Sequence, residues 1–123
     1  MIAIVPAFNE APSVGAVVTA LRASGEFAEV VVVDDGSSDD TAKIAEDAGA
    51  LVIGTPRNLG KGGAMLFAYA GLTESDDDRV AFFDADLIGL TPRHVWALAD
   101  VSERGYDMTS LRRDRSPMSN VLQ

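Results

Sequence analysis

Cysteine is absent from the 123 residues of this chain. Neither a disulfide framework nor a thiolate zinc site can therefore form, and the redox compartment cannot be inferred from cysteine usage. Basic residues are also scarce, because 10 Lys and Arg face 19 Asp and Glu and give a formal net charge of -9. This charge repels nucleic-acid phosphates and anionic lipid surfaces, so we expect no nucleic-acid partner. A small anionic ligand stays compatible with it if a metal ion bridges the ligand to carboxylates.

Long apolar runs are missing as well. No stretch approaches the roughly 18 to 20 consecutive apolar residues that a membrane helix needs. The apolar opening, residues 1–5, is too short for a signal peptide and lacks its basic flank. We therefore expect a cytoplasmic protein, and association with the cytoplasmic face of a membrane through further chain stays open. A hydrophobic content of 47% suits one domain spanning residues 1–123.

Apolar patterning predicts strands that alternate with helices. Short apolar runs predict four strands, over residues 1–5, 30–33, 51–53 and 80–83, and a fifth is expected around residues 106–110. Apolar residues at helical spacing predict helices over residues 12–24, 41–48, 62–72 and from 91 onward. This alternation is typical of a mostly parallel sheet that is covered by helices on both faces.

Polar sequence follows three of the four strands, at residues 6–10, 34–40 and 84–86. In parallel α/β sheets, ligands bind beyond the carboxyl ends of the strands. A hydrophobic core does not require carboxylates at three strand ends. These segments therefore predict a ligand site at one edge of the sheet.

The segment Asp84-Ala85-Asp86 carries the sharpest chemical signal. Alternate residues of an extended segment can direct two carboxylates around one site, and the small Ala85 causes no crowding. Hard oxygen ligands of this kind suit Mg²⁺ or Mn²⁺, which in turn neutralises a diphosphate. For the motif taken alone, two solvated acids at a strand end are the simpler interpretation.

Four segments together change that interpretation. They are Pro6-Ala7-Phe8-Asn9-Glu10, Asp34-Asp35-Gly36-Ser37-Ser38-Asp39-Asp40-Thr41, Asn58-Leu59-Gly60-Lys61-Gly62-Gly63-Ala64 and Asp84-Ala85-Asp86. In this order they resemble the family 2 glycosyltransferases of the GT-A fold, and most of all the branch of dolichyl-phosphate mannosyltransferases and glucosyl-3-phosphoglycerate synthases. The resemblance covers roughly residues 1–110. It implies a three-layer α/β/α sandwich with a Rossmann-like nucleotide-binding half, and transfer of a sugar from a nucleoside diphosphate to an acceptor.

The resemblance also implies a set of residues that bind a UDP-sugar or GDP-sugar. These are Pro6, Ala7, Phe8, Glu10, Asp35, Lys61, Asp84, Ala85 and Asp86. Pro6, Ala7 and Glu10 would line the pocket for the base and the ribose. Asp35 would accept a hydrogen bond from an N–H edge of the base, as a carboxylate can.

The remaining roles implied by the resemblance concern the diphosphate and the cation. Lys61, in the loop after Asn58, would lie near the nucleotide or the diphosphate. Asp84 would contact the ribose side or the metal, and Asp86 would be the principal ligand of Mg²⁺ or Mn²⁺. Ile88 stands where related mannosyltransferases often place a polar group, so coordination would depend on Asp86, phosphate and water.

The family usually continues well beyond the D-x-D strand. We therefore expect the acceptor-binding part to be absent from residues 1–123, and we name no catalytic residue. The acceptor stays open between a lipid phosphate, a small phosphorylated acid and a glycan. An apolar face on the fourth helix leaves surface that a second copy could cover in a homodimer.

Structural roles are the simpler interpretation of several other residues. We expect Ser38 and Asp39 to cap the second helix, and His94 to lie at the start of the fourth helix. The glycines that follow Asn58 are expected to supply positive φ and close packing. Tyr69 and Trp96 are expected to pack against the protein rather than against a sugar.

The sequence does not match the motif spacing of other phosphate-binding or nucleotide-binding classes. A phosphate-binding loop needs a Ser or Thr after its lysine, but Gly62 follows Lys61. A dinucleotide fold needs glycines directly after the first strand, where this chain has residues 6–10. A phosphoacceptor receiver domain is a weaker alternative, because it needs its acid pair after the first strand. A sugar-nucleotide-binding module without turnover stays open.

Overall fold

Strands and helices alternate throughout the part of the chain that is described by the structure, a computed structural model that covers residues 1–72 and 79–103. The elements are β1 (Ile2–Ala7), α1 (Val14–Ala23), β2 (Glu29–Asp34), α2 (Thr41–Asp47), β3 (Leu51–Gly54), α3 (Gly60–Leu72), β4 (Val80–Phe82) and α4 (Pro92–Glu103). The four predicted strands and four predicted helices are thus confirmed. The fifth strand expected around residues 106–110 lies outside the described residues.

The strands form one sheet in the order β3-β2-β1-β4, and each neighbouring pair is parallel. The strand β1 pairs with β2 along its whole length, from Ile2 opposite Glu29 to Ala7 opposite Asp34. Its pairing with β4 is shorter and ends at Ile4. Receiver domains place β1 between β2 and β3, so this strand order excludes them.

Helices cover both faces of the sheet, because successive side chains of β1 and β2 point to opposite faces and nearly all of them are buried. On one face Ala3 and Val5 of β1 pack in a core with side chains from α1, α2 and α4. On the other face Ile4, Val31 and Val33 pack against α3. Strands are added in one direction from β1 to β3 and in the opposite direction for β4, and a right-handed crossover then places α3 on the opposite face from α1 and α2. The structure therefore has the expected three-layer α/β/α arrangement.

The strand β1 continues past Pro6, where the sequence pattern had placed its end. The N–H of Ile2 bonds to the carbonyl of Arg79, and the carbonyl of Ile4 accepts from Phe83 N–H, so the backbone groups of even-numbered residues face β4. Pro6, which has no N–H, also faces that side, but there the pairing with β4 has already ended at Ile4. The proline therefore costs β1 no hydrogen bond with β2.

The starts of two helices differ from their predicted positions. The first helix begins at Val14 with Ser13 as its N-cap residue, so Pro12 precedes the helix and does not occupy its first turn. The third helix begins at Gly60, whose φ of 77° marks the bend into it. Lys61 accordingly lies in the first helical turn rather than in a loop. The backbone of the lysine is therefore held by the helix α3.

The buried face of α3 consists of the small residues Ala64 and Ala68. Small side chains let the helix axis approach the β1 and β2 side chains closely. Tyr69, which was expected to pack against the protein, is 42% exposed. Among residues 1–72 and 79–103, no helix combines the length and apolar character needed to span a membrane.

Ile4 tests the central position of β1. It is fully buried between β2 and β4, so Ile4→Ala is expected to lower the free energy of unfolding by about 2–5 kcal/mol. Ile88→Ala removes the same atoms from a side chain that is 73% exposed, and should change stability by less than about 0.5 kcal/mol. Urea denaturation of both variants measures the difference. Equal effects would show that burial of β1 does not dominate the stability.

Candidate functional site

A cleft of about 450 Å³ opens at the carboxyl ends of β1, β2 and β4, beside the start of α3. It contains all nine residues that the resemblance implied, together with three more. Its lining residues are Pro6, Ala7, Phe8, Glu10, Asp35, Asn58, Gly60, Lys61, Ala64, Asp84, Ala85 and Asp86. The strand order reverses between β1 and β4, and α/β sheets bind ligands at such a switch point.

Asp35 forms one wall of the cleft and is held rigidly. Only 3% of the residue is exposed, and its Oδ1 accepts a hydrogen bond from the Leu59 N–H at 2.8 Å. The Thr55 hydroxyl also lies 2.8 Å from this oxygen and 2.7 Å from the Arg57 carbonyl, so its one proton is shared between the two acceptors. The backbone carbonyl of Asp35 accepts from the Asn58 side-chain amide at 3.1 Å. In the described residues no fully buried side-chain oxygen or nitrogen lacks a partner, so Oδ2, which takes none of these bonds, is not fully buried, and Asp35 lines the cleft. The carboxylate can therefore accept one directed bond from a ligand.

Charge in the cleft is divided between one cation and four carboxylates. Lys61 is the cationic side chain of the lining, and its ammonium forms an ion pair and hydrogen bond with Asp84. Both side chains are partly exposed, so the pair is screened by water and stabilises the fold little. Asp86 lines the same cleft two residues further on, beyond the buried Ala85.

The donor set fits a divalent cation that arrives together with a phosphate ligand. Within residues 1–72 and 79–103, no three His, Cys, Asp or Glu side chains are close enough to enclose a metal ion by themselves. Asp84 and Asp86 supply hard oxygen atoms at one wall of the cleft. Mg²⁺ and Mn²⁺ suit such a site, because Mg²⁺ commonly binds through one or two carboxylates and fills its shell with water and phosphate oxygens.

Asn9 joins the loop after β1 to the loop after β2. Its N–H donates to the Ser37 hydroxyl at 2.9 Å, and its side-chain Oδ1 accepts from the Ser38 N–H at 2.8 Å. It has a φ of 53°, the only positive φ of a non-glycine residue in the described part of the chain. Asparagine tolerates this conformation better than most residues. Sequence reasoning assigned Asn9 no role, although an asparagine in a tight loop after a strand is a signal for such a turn.

Two further bonds complete this connection between loops. The Glu10 N–H donates to the Thr41 hydroxyl at 2.9 Å, and the Ala11 N–H donates to Asp39 Oδ2 at 3.2 Å. The Thr41 hydroxyl and N–H in turn donate to Asp39 Oδ1. The segment that carries Phe8 and Glu10 is thus held against the loop after β2, which carries Asp35, and all three residues line the cleft.

The expected capping roles are confirmed in part. Asp39 accepts a hydrogen bond from the Thr41 N–H, the first of α2, as predicted. The Ser38 N–H donates to Asn9 Oδ1 instead of Ser38 capping the helix, and Asp40 occupies the N-cap position. His94 lies in the first turn of α4, where its Nδ1 accepts from the Thr91 N–H at 3.1 Å. The prediction of a helix-terminal role for this histidine is therefore correct.

Comparison with known proteins gives the family of the chain. The model for Glycosyl transferase family 2 matches residues 2–122, and the chain belongs to this family. An undecaprenyl-phosphate 4-deoxy-4-formamido-L-arabinose transferase from Proteus mirabilis is 32% identical over 120 residues, which are 89% of this chain and 36% of that protein. An uncharacterised protein from Methanocaldococcus jannaschii is 42% identical over 96% of this chain and 49% of its own length.

Solved structures agree with the family and the fold. The glucosyl-3-phosphoglycerate synthase from Mycobacterium tuberculosis, in complex with Mn²⁺, UDP and glucosyl-3-phosphoglycerate, superposes with a TM-score of 0.74 at 29% identity. The match covers 88% of this chain and 41% of that one. The α/β architecture is thus the GT-A type that the sequence predicted. The chain spans about a third to a half of the length of the relatives it matches.

Asp39 makes the connection between the loops sensitive to acid. The Thr41 hydroxyl, with the N–H groups of Thr41 and Ala11, holds the pKa of this exposed carboxyl below its ordinary value. A depressed pKa adds stability above the pKa of the unfolded state, which is lost as pH falls through the folded value. The free energy of unfolding of the wild type should therefore fall more than that of Asp39→Asn below about pH 4.

Urea denaturation between about pH 6 and pH 2.5 measures this difference. Asp40→Asn is the matched control, because Asp40 makes no side-chain cap bond. Its stability should follow the wild type over the whole range. Parallel curves for the wild type and Asp39→Asn would contradict the assigned hydrogen bonds.

Proposed function

We propose that this chain is the donor-binding part of a glycosyltransferase, and that its cleft binds a UDP-sugar together with Mg²⁺ or Mn²⁺. One observation carries the proposal: Asp35, Lys61, Asp84 and Asp86, from segments far apart in the sequence, line a single cleft at the switch point of the sheet. The nine residues proposed as donor contacts are those named from the sequence. The family and the UDP and Mn²⁺ named for the mycobacterial synthase support this assignment.

The base is assigned to the Asp35 wall. A buried carboxylate with one oxygen tied to Thr55 and Leu59 can present the other to a single N–H donor. The imide N–H of uracil is such a donor, and it would meet a rigid acceptor rather than a mobile surface side chain. Pro6 and Ala7, buried at the end of β1, and Phe8 beside them supply apolar contact for a planar ring.

The diphosphate is assigned to the part of the cleft where Lys61 and Asp84 meet. Lys61 lies in the first turn of α3, where the helix terminus itself favours negative charge. A divalent cation held by Asp86 and Asp84 would supply Lewis-acid stabilisation of the charge that develops on the departing diphosphate. The protein residues bind and orient the donor, because the lysine can contact the diphosphate directly and the carboxylates can hold it through the cation.

The names of the relatives point to acceptors that carry a phosphate. One relative is named for undecaprenyl phosphate, and the mycobacterial synthase is named with phosphoglyceric acid. We extend this class of acceptor, a phosphorylated lipid or a small phosphorylated acid, to the protein that contains this chain. Its cytoplasmic location and a homodimer stay predictions.

Asp86 tests the cation. Asp86→Asn keeps the shape of the side chain but weakens its binding of a cation, so it should weaken UDP binding in the presence of Mn²⁺ at least tenfold, about 1.4 kcal/mol. Calorimetric titration of UDP with Mn²⁺ and with EDTA measures the effect. Asp47→Asn, an exposed carboxylate on α2 that pairs with Lys43, is the control and should bind as the wild type does. The proposal fails if Mn²⁺ does not strengthen UDP binding by the wild type.

Substitution of Lys61 should change the binding of Mn²⁺ and the binding of UDP in opposite directions. Lys61→Met removes the cation paired with Asp84, so it should strengthen the binding of Mn²⁺ alone and weaken the binding of UDP in EDTA, each by several-fold. Lys43→Met removes an exposed lysine of another Lys–Asp pair and should change neither quantity. Titration of each ligand separately measures both effects. A change of the same sign in both titrations would contradict a shared site for Lys61 and the cation.

A further inference from the structure

Ser13, at the start of α1, forms a side-chain hydrogen bond that is unusual for an N-cap residue. As the N-cap residue it would ordinarily accept a bond from an N–H of the first helical turn with its hydroxyl. Its side chain makes no such bond. The hydroxyl instead donates to the carbonyl of Ala85 at 2.7 Å, across 72 positions of sequence.

Geometry favours this bond over the nearby alternatives. The backbone carbonyl of Glu10 is 3.5 Å from the same hydroxyl, and Glu10 Oε2 is 3.4 Å away. A hydroxyl has one proton, and the distance to Ala85 is the only one of the three in the range typical of O–H···O bonds. The proton of Ser13 is therefore committed to Ala85.

The acceptor lies between the two carboxylates that are proposed to bind the cation. The ladder between β1 and β4 reaches the N–H of Phe83, which donates to Ile4, and Asp84, Ala85 and Asp86 follow beyond it. The Ala85 carbonyl belongs to the planar peptide that ends at the Asp86 Cα, so a displacement of this carbonyl moves Asp86 directly and moves Asp84 through the Ala85 Cα. A tether at this carbonyl restrains Asp84 and Asp86 together.

The position of Ser13 is itself fixed by the helix. Its N–H donates to the carbonyl of Glu10 at 3.1 Å, and its carbonyl accepts from Val17 N–H. Glu10 lines the cleft, whereas Ser13 does not. The serine thus connects the Glu10 side of the cleft to the Asp84–Asp86 side from outside the ligand space.

We infer that Ser13 is a positioning residue that sets the spacing of Asp84 and Asp86 through the Ala85 carbonyl, and so determines how tightly the divalent cation and the diphosphate bind together. This inference rests on the proposed function. It assigns no chemical step to the serine, which acts only through the backbone of the segment that carries the two carboxylates.

Ser13→Ala tests the inference through the part of UDP binding that depends on Mn²⁺. Loss of one hydrogen bond that orders the ligands should weaken UDP binding about fivefold with Mn²⁺ present, and less than twofold in EDTA. The electron paramagnetic resonance spectrum of bound Mn²⁺ should change as well, because its carboxylate ligands are displaced. Ser13→Thr keeps the hydroxyl and should restore binding to within about twofold of the wild type.

Two further variants separate positioning from folding. Ser24→Ala removes a buried hydroxyl that donates to Leu21 at 2.6 Å at the other end of α1, so it disturbs the same helix without contacting the cleft. It should leave Mn²⁺-dependent UDP binding unchanged. Ser13→Gly retains a residue type that is accepted at N-caps and still lacks the donor, so it gives the same test if Ser13→Ala does not fold.

The outcomes distinguish the two proposals. The inference is supported if UDP binding with Mn²⁺ is weakened about fivefold in Ser13→Ala or Ser13→Gly and is kept in Ser13→Thr and Ser24→Ala. Binding by Ser13→Ala and Ser13→Gly that equals the binding by Ser24→Ala overturns it and leaves the proposed function standing. If the wild type itself shows no Mn²⁺ dependence, both proposals fail.

Discussion

The pairing of β1 with β2 on one side and with β4 on the other is the constraint on which the rest of the molecule depends. It buries β1 almost completely, and it brings together the ends of three strands whose following segments are far apart in the sequence. Because the strands are parallel, these segments all leave the sheet at the same edge. The acidic residues of the cleft become neighbours through backbone hydrogen bonds, without any attraction between their side chains.

Electrostatics alone would oppose such a site. A net charge of -9 and a cleft containing Glu10, Asp35, Asp84 and Asp86 repel an anionic diphosphate, and Lys61 offsets only one of these charges. The proposed divalent cation would resolve the conflict, since it would be bound by the same carboxylates that otherwise repel the ligand. An acidic cleft and a nucleoside diphosphate ligand are therefore compatible if a cation lies between them.

Much of the fold and of the cleft could be predicted from the sequence, because both depend on signals that are local. The valine run of β2 and the segments at the strand ends carry their own patterns. Hydrogen bonds between distant side chains carry none, so the roles of Asn9, Ser13 and Thr55 became visible only in three dimensions. The packing face of α3 also could not be read from the sequence, because a helix that is apolar all round does not reveal which side packs. Burial of Ala64 is decided by how closely the helix approaches the sheet.

Pro6 has a consequence that extends beyond its own strand. In the register that pairs Ile4 with Phe82, the next rung between β1 and β4 would need an N–H from residue 6 as the donor to the carbonyl of Phe83. Proline has no N–H to donate, so the hydrogen-bond ladder between β1 and β4 stops here and the two strands can diverge. Pro6 and Ala85 both line the cleft. An imino acid in a central strand, which sheet propensities would count as a defect, thus keeps the mouth of the cavity from closing through backbone pairing.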